Sequence, residues 1–129
     1  MVREARLKFT RESSATLSIR SVGGDGIRID DQLWSETVAL TPQQVVDGWR
    51  NVPLAELVED DFMTLLEHTP ELIIVGTGAR NIFPPRELTF AFARRGVGFE
   101  VMDTAAAART FNVLAGEGRR VAAVLFPLQ

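Results

Sequence analysis

The feature that most limits what this chain can fold into lies in residues 71–126, where short apolar runs alternate with amphipathic stretches. Leu72-Ile73-Ile74-Val75 is wholly apolar, as expected of a strand buried on both faces, and Gly76-Thr77-Gly78 turns the chain away from it. Pro84-Pro85 then opens a helix running to about Arg95, with Leu88, Ala91 and Phe92 on its inner stripe and Gly96 suited to a left-handed cap. Phe99–Met102 reads as the next strand. Asp103-Thr104 supplies side-chain acceptors for the start of a second helix, whose apolar stripe is Ala107, Ala108, Phe111, Leu114 and Ala115 and which ends at Gly116. Val121–Phe126 closes the series. The order strand, helix, strand, helix, strand predicts an α/β domain on a central, at least partly parallel sheet.

The N-terminal half reads differently. Residues 1–14 carry Arg3, Glu4, Arg6, Lys8, Arg11 and Glu12 around few apolar side chains, which predicts a flexible N-terminal segment. Residues 15–129 are then expected to form one domain. Leu17 and Ile19, then Ile27 and Ile29, flank Gly23-Gly24-Asp25-Gly26 and predict a β-hairpin. Leu33-Trp34 with Val38 and Leu40 predicts one further strand ending at Thr41-Pro42. Leu54, Leu57, Val58, Phe62, Leu65 and Leu66 recur at helical spacing and predict an amphipathic helix. Trp34 and Trp49 are read as packing residues. The hairpin can extend one edge of the central sheet or cover one of its faces.

A chain of 129 residues can bury a continuous core without a staple, and no cysteine is present to form one. Thiol chemistry and cysteine-ligated metal centres are therefore excluded. The formal charge of −3 gives no basic field for general nucleic-acid binding. No apolar run is long enough to span a bilayer, and the first residues lack the apolar stretch of a signal peptide, so the expected location is cytoplasmic.

Three blocks, Leu72–Gly78 (LIIVGTG), Gly96–Thr104 (GVGFEVMDT) and Ala106–Leu125 (AAARTFNVLAGEGRRVAAVL), resemble in sequence and order the Mth938-like, or DUF498, family. That family includes mitochondrial complex I assembly factor 3 and many small prokaryotic proteins. The resemblance implies a three-layer α/β fold around a mixed sheet, with an N-terminal β-hairpin region and packed helices. It supplies no catalytic motif and no cofactor to carry over.

The residues themselves nominate one site. If the strands 72–75 and 99–102 end on one edge, Gly76, Thr77 and Gly78 share a crevice with Asp103 and Thr104, where backbone amides can receive an anion. Arg109 and Asn112, three apart on one helix, can add donors for a carboxylate or phosphate. Each residue also has a structural explanation. The glycines form neither a dinucleotide fingerprint nor a phosphate loop, Asp103 and Thr104 suit a helix cap, and Asn112 can satisfy a loop backbone. His68, the only histidine, has no partner ligand nearby in sequence, so no metal is expected. Glu59-Asp60-Asp61 reads as a solvated helix face, and no serine sits in a nucleophile elbow.

The functional expectation is thus a non-enzymatic interaction or assembly factor with protein partners, linked through the resemblance to respiratory-complex biogenesis. The alternative is a protein binding a small anionic ligand, or an uncharacterised enzyme, at the Gly76–Gly78 and Asp103-Thr104 crevice. Homo-oligomerisation through an exposed apolar patch, in the N-terminal β region or the Pro84-Pro85 segment, is compatible with either.

Overall fold

The computed structural model describes residues 16–128, so the expectation for residues 1–14 lies outside the described residues. Strands β1 (Ile19–Gly23) and β2 (Gly26–Ile29) form the predicted hairpin, with Ile19 opposite Ile29 and Val22 opposite Ile27. Strand β3 (Gln32–Trp34) pairs antiparallel with β2 and completes a three-stranded sheet.

The single strand predicted from Leu33 to Leu40 is two strands in two sheets. Trp34 lies opposite Ile27 in the first sheet, whereas Val38 in β4 (Val38–Leu40) lies opposite Leu125 in the second. Alternation of side chains fixes which way each residue points but not which sheet it joins.

The second sheet has the order β5-β4-β8-β6-β7, with β5 at Val45–Val46, β6 at Leu72–Gly76, β7 at Gly98–Met102 and β8 at Val121–Leu125. Strand β6 runs parallel to both β7 and β8, while β4 is antiparallel to β8 and β5, so the sheet is mixed. All five residues of β8 are buried, as its central position requires.

Two helices lie on opposite faces of that sheet. Helix α3 (Thr104–Gly116) packs Ala107, Phe111 and Ala115 against Ile74, Ala123 and Leu125, and the hairpin adds Ile19, Ile27 and Ile29 to the same cluster. The N-terminal hairpin region therefore covers a face rather than extending an edge. Helix α2 (Arg86–Arg95) packs Leu88 and Phe92 against Ile73, Val75, Ala122 and Val124 on the other face. Its predicted stripe of Leu88, Ala91 and Phe92 is buried, and the helix stops at Gly96 with φ of 70°. The result is a three-layer α/β fold.

The helix predicted over residues 54–66 is broken. A 3₁₀ turn at Leu54–Glu56 and another at Glu59–Phe62 precede the one-turn helix α1 (Met63–Leu66). Leu57 and Val58 are extended between the turns, and the Asp61 carboxylate accepts from the Val58 N–H at 2.9 Å. That local bond competes with helix continuation. Leu57, Phe62 and Leu65 still reach the core, while Val58 is exposed. An aromatic cluster consolidates this layer: Phe62 meets Phe92 edge-on at 5.0 Å between ring centroids, and Phe92 stacks on Phe99 at 4.9 Å. Such pairs each add about 1 kcal/mol beyond their burial. Trp49 packs edge-on against Phe62 at 5.2 Å, in keeping with a packing role.

Candidate functional site

The strands β6 and β7 end side by side, and the loops nominated by the sequence meet there. Gly76 lies so close to α3 that a Cβ on it would stand 2.9 Å from the Thr104 Cα and 3.0 Å from the Ala107 Cβ. Gly78, at φ of +100°, donates its N–H to the Thr104 Oγ1 at 2.7 Å, a backbone conformation that favours glycine. The Thr104 hydroxyl in turn donates to the Phe126 carbonyl at 2.6 Å, and the Thr104 N–H donates to the Gly78 carbonyl at 2.9 Å. Thr104 is fully buried. Thr77 donates its N–H to the Met102 carbonyl at 2.9 Å, and its hydroxyl accepts from the Ile82 N–H at 3.1 Å. Asp103 caps α3 by accepting from the Ala106 N–H at 2.9 Å.

Gly76, Thr77, Gly78, Asp103 and Thr104 thus come together, with many of their polar atoms directed at one another. Arg109 and Asn112 stand apart, beside β1. The Asn112 amide brackets the backbone of Ile19, accepting from its N–H and donating to its carbonyl, both at 2.9 Å. The contact sits where the β1–β2 register is interrupted between Ile19 and Ser21. Arg109 is exposed and borders a depression of about 170 Å³ with Arg20, Ser21 and Asn112.

A larger crevice, of about 590 Å³, opens at the end of β6 and β8. One wall is Thr77, Ile82, Phe83, Phe126 and Pro127, and the other runs from Asn51 to Ala55. Phe83 is 86% exposed and Ile82 is 48% exposed. Neither was selected from the sequence. The available signal was a pair of large apolar residues in a loop, directly before Pro84-Pro85.

The second wall is braced from behind. Arg50 Nε donates to an Asp61 oxygen at 2.6 Å and its Nη2 donates to the other at 2.9 Å. The Arg50 guanidinium, and then the Val58 N–H, hold the Asp61 carboxyl below the usual carboxylate range against the opposing effect of burial. Glu59, in the same acidic run, pairs with Arg95 at 2.6 Å. Two of the three acids in that run therefore clamp neighbouring elements together.

At the opposite end of the sheet, Thr41, His68, Arg119 and Arg120 border a cavity of about 300 Å³. Arg119 pairs there with Glu71 at 2.9 Å, and Arg120 Nε donates to the Thr69 carbonyl at 2.9 Å. The Arg119 guanidinium and the Arg120 N–H hold Glu71 below the usual carboxylate range. Among the described residues, no three histidine or acidic side chains gather as metal ligands, and no helix is long and apolar enough to cross a membrane.

A family model for proteins of unknown function, DUF498/DUF598, matches residues 19–126, which takes in both sheets, both long helices and all of the crevice lining but Pro127. The chain belongs to the DUF498 family. Human NADH dehydrogenase [ubiquinone] 1 alpha subcomplex assembly factor 3 is 35% identical over 91% of the chain. The match spans 64% of that relative's own length. The NMR structure of a Xanthomonas campestris protein is similar at 35% identity, with a TM-score of 0.81 and coverage of 95% of this chain and 93% of that one. A Bordetella pertussis protein described as a Mth938-like domain is similar at 29% identity and a TM-score of 0.68, with 95% and 92% covered. The three-layer fold of this DUF498 chain is accordingly the Mth938-like one.

Proposed function

We propose that this DUF498 domain is a non-enzymatic assembly factor that binds protein partners, and that its task is linked to respiratory complex I. The observation that carries the reading is Phe83, 86% exposed beside Ile82 on the rim of a crevice lined by both apolar and polar residues. A protruding aromatic next to a pocket is the kind of anchor that dominates protein interfaces. The link to complex I comes from the human relative named as an assembly factor, and rests on modest identity over part of that protein. The cytoplasm is the compartment this reading assigns.

The full chain, tagged in its native cell, is expected to co-migrate with partly assembled complex I on native gels. A Phe83→Ser variant is expected to lose that co-migration while unfolding at the same temperature. Co-migration unaffected by Phe83→Ser would reject the crevice as the docking site. Absence of complex I components from the native-chain fraction would reject the assembly role.

A small-anion site built on Gly76, Thr77, Gly78, Asp103, Thr104, Arg109 and Asn112 has less support. Thr77 alone among them borders the crevice, Thr104 and Asp103 are engaged in internal bonds, and Arg109 and Asn112 border the other depression.

A further inference from the structure

The two edges of the five-stranded sheet are unequal. At one edge β5 has only two residues, whereas β7 at the other has five. Gly98 donates its N–H to the Glu71 carbonyl at 2.9 Å, and the Met102 carbonyl accepts from the Thr77 N–H at 2.9 Å. In a parallel ladder this parity turns the main chain of Gly98, Glu100 and Met102 toward β6, so the N–H and C=O groups of Phe99 and Val101 face outward. No described strand pairs with them.

Edges of this kind are ordinarily blunted by proline, a bulge, lysine or a covering element. Strand β7 contains no proline or lysine, and its register with β6 is unbroken from Gly98 to Met102. Its one charge is Glu100, exposed at the centre and opposite Ile74 on the α3 side. Phe99 and Val101 are half-buried on the α2 side.

We infer that β7 accepts an added strand from a protein partner, one that places a lysine or arginine opposite Glu100 and apolar residues opposite Phe99 and Val101. This inference rests on the assembly-factor reading for its biological use but involves a surface separate from the Phe83 crevice. Charge selects the occupant. An antiparallel second copy that used all four outward groups would set Phe99 against Val101 of its mate and Glu100 against Glu100. Side chains in such a non-hydrogen-bonded pair lie closest, and like charges directly opposite are destabilising. A basic residue at that position turns the same proximity into attraction.

The test uses the full chain, observed by amide NMR, and two capped peptides. One has the sequence Thr-Val-Thr-Val-Lys-Val-Thr-Val-Thr, and the other carries glutamate in place of the lysine. In the free protein the Phe99 and Val101 amides are expected to exchange with solvent faster than those of Glu100 and Met102. The lysine peptide is expected to slow exchange at Phe99 and Val101 and to bind about tenfold more tightly than the glutamate peptide. Glu100→Lys, a change at an exposed position, is expected to reverse that preference, and Phe83→Ser to leave it unchanged. Equal binding of the two peptides, or shifts confined to Ile82 and Phe83, would overturn the inference without touching the assembly role. Loss of Phe83-dependent co-migration with lysine-peptide binding intact would do the reverse. Protection of Phe99 and Val101 in the free chain that vanishes on removing residues 1–15 would show that the chain supplies its own strand, and would also overturn it.

Discussion

Two segments leave the same end of the sheet, and they treat their polar and apolar groups in opposite ways. Where β6 passes into Gly78 and β7 into α3, backbone and hydroxyl groups are bonded among themselves and Thr104 is wholly enclosed. A few residues on, Ile82 and Phe83 face outward over the crevice. Glycines and caps that stand out in a sequence can mark a saturated joint, whereas the surface available to a partner lies in a less conspicuous loop. Burial and bonding, rather than residue type, separate the two.

The contrast can be broken most forcefully at Gly76. Replacing it with valine drives side-chain atoms into Thr104 and Ala107, with an expected loss of about 3 kcal/mol in urea unfolding. A loss near zero would mean that the joint is loose. Thr104→Val keeps the shape but strands the Gly78 N–H and the Phe126 carbonyl, and is expected to cost about 2 kcal/mol in the same assay.

On the open side the effects should be smaller. Asp61→Asn weakens the brace to Arg50 and the bond to the Val58 N–H behind the crevice wall, for about 1 kcal/mol at neutral pH. Because the folded carboxyl titrates below its unfolded value, the stability it adds is fully present above about pH 4 and is lost as pH falls through the folded value. The gap between native and variant chains should therefore close in acid, as followed by thermal unfolding across pH. Phe83→Ser should change stability by less than about 0.5 kcal/mol. If it proves as costly as Gly76→Val, Phe83 is a packing residue and the comparison fails.

Local signals carried the C-terminal half of the fold. The run Leu72–Val75, the prolines before α2, Gly96 after it and Asp103 before α3 each specify their own element within a few residues, and the observed elements follow them. What remained illegible depended on distant partners. Leu33-Trp34 and Val38–Leu40 share one alternating pattern, and only pairing with Ile27 or with Leu125 assigns them to different sheets. The spacing of Leu54 to Leu66 fits a helix, but Asp61 folds back on Val58 and meets Arg50, which is 11 residues away. At the site, the meeting of Gly76–Gly78 with Asp103-Thr104 followed from two parallel strands. The role of Asn112 required Ile19, 93 residues earlier, which no spacing rule reaches.

Strand β8 has a consequence for biosynthesis. It is the last of the described strands to leave the ribosome, yet it lies between β4 and β6 and completes hydrogen bonding on both sides. Until residues 121–125 emerge, β4 and the β6–β7 pair have no common neighbour, and the strand edges that β8 will join wait unpaired. Nascent chains stalled before Val121 should therefore be engaged by chaperones, and release of Leu125 from the exit tunnel should be the step at which protease resistance appears.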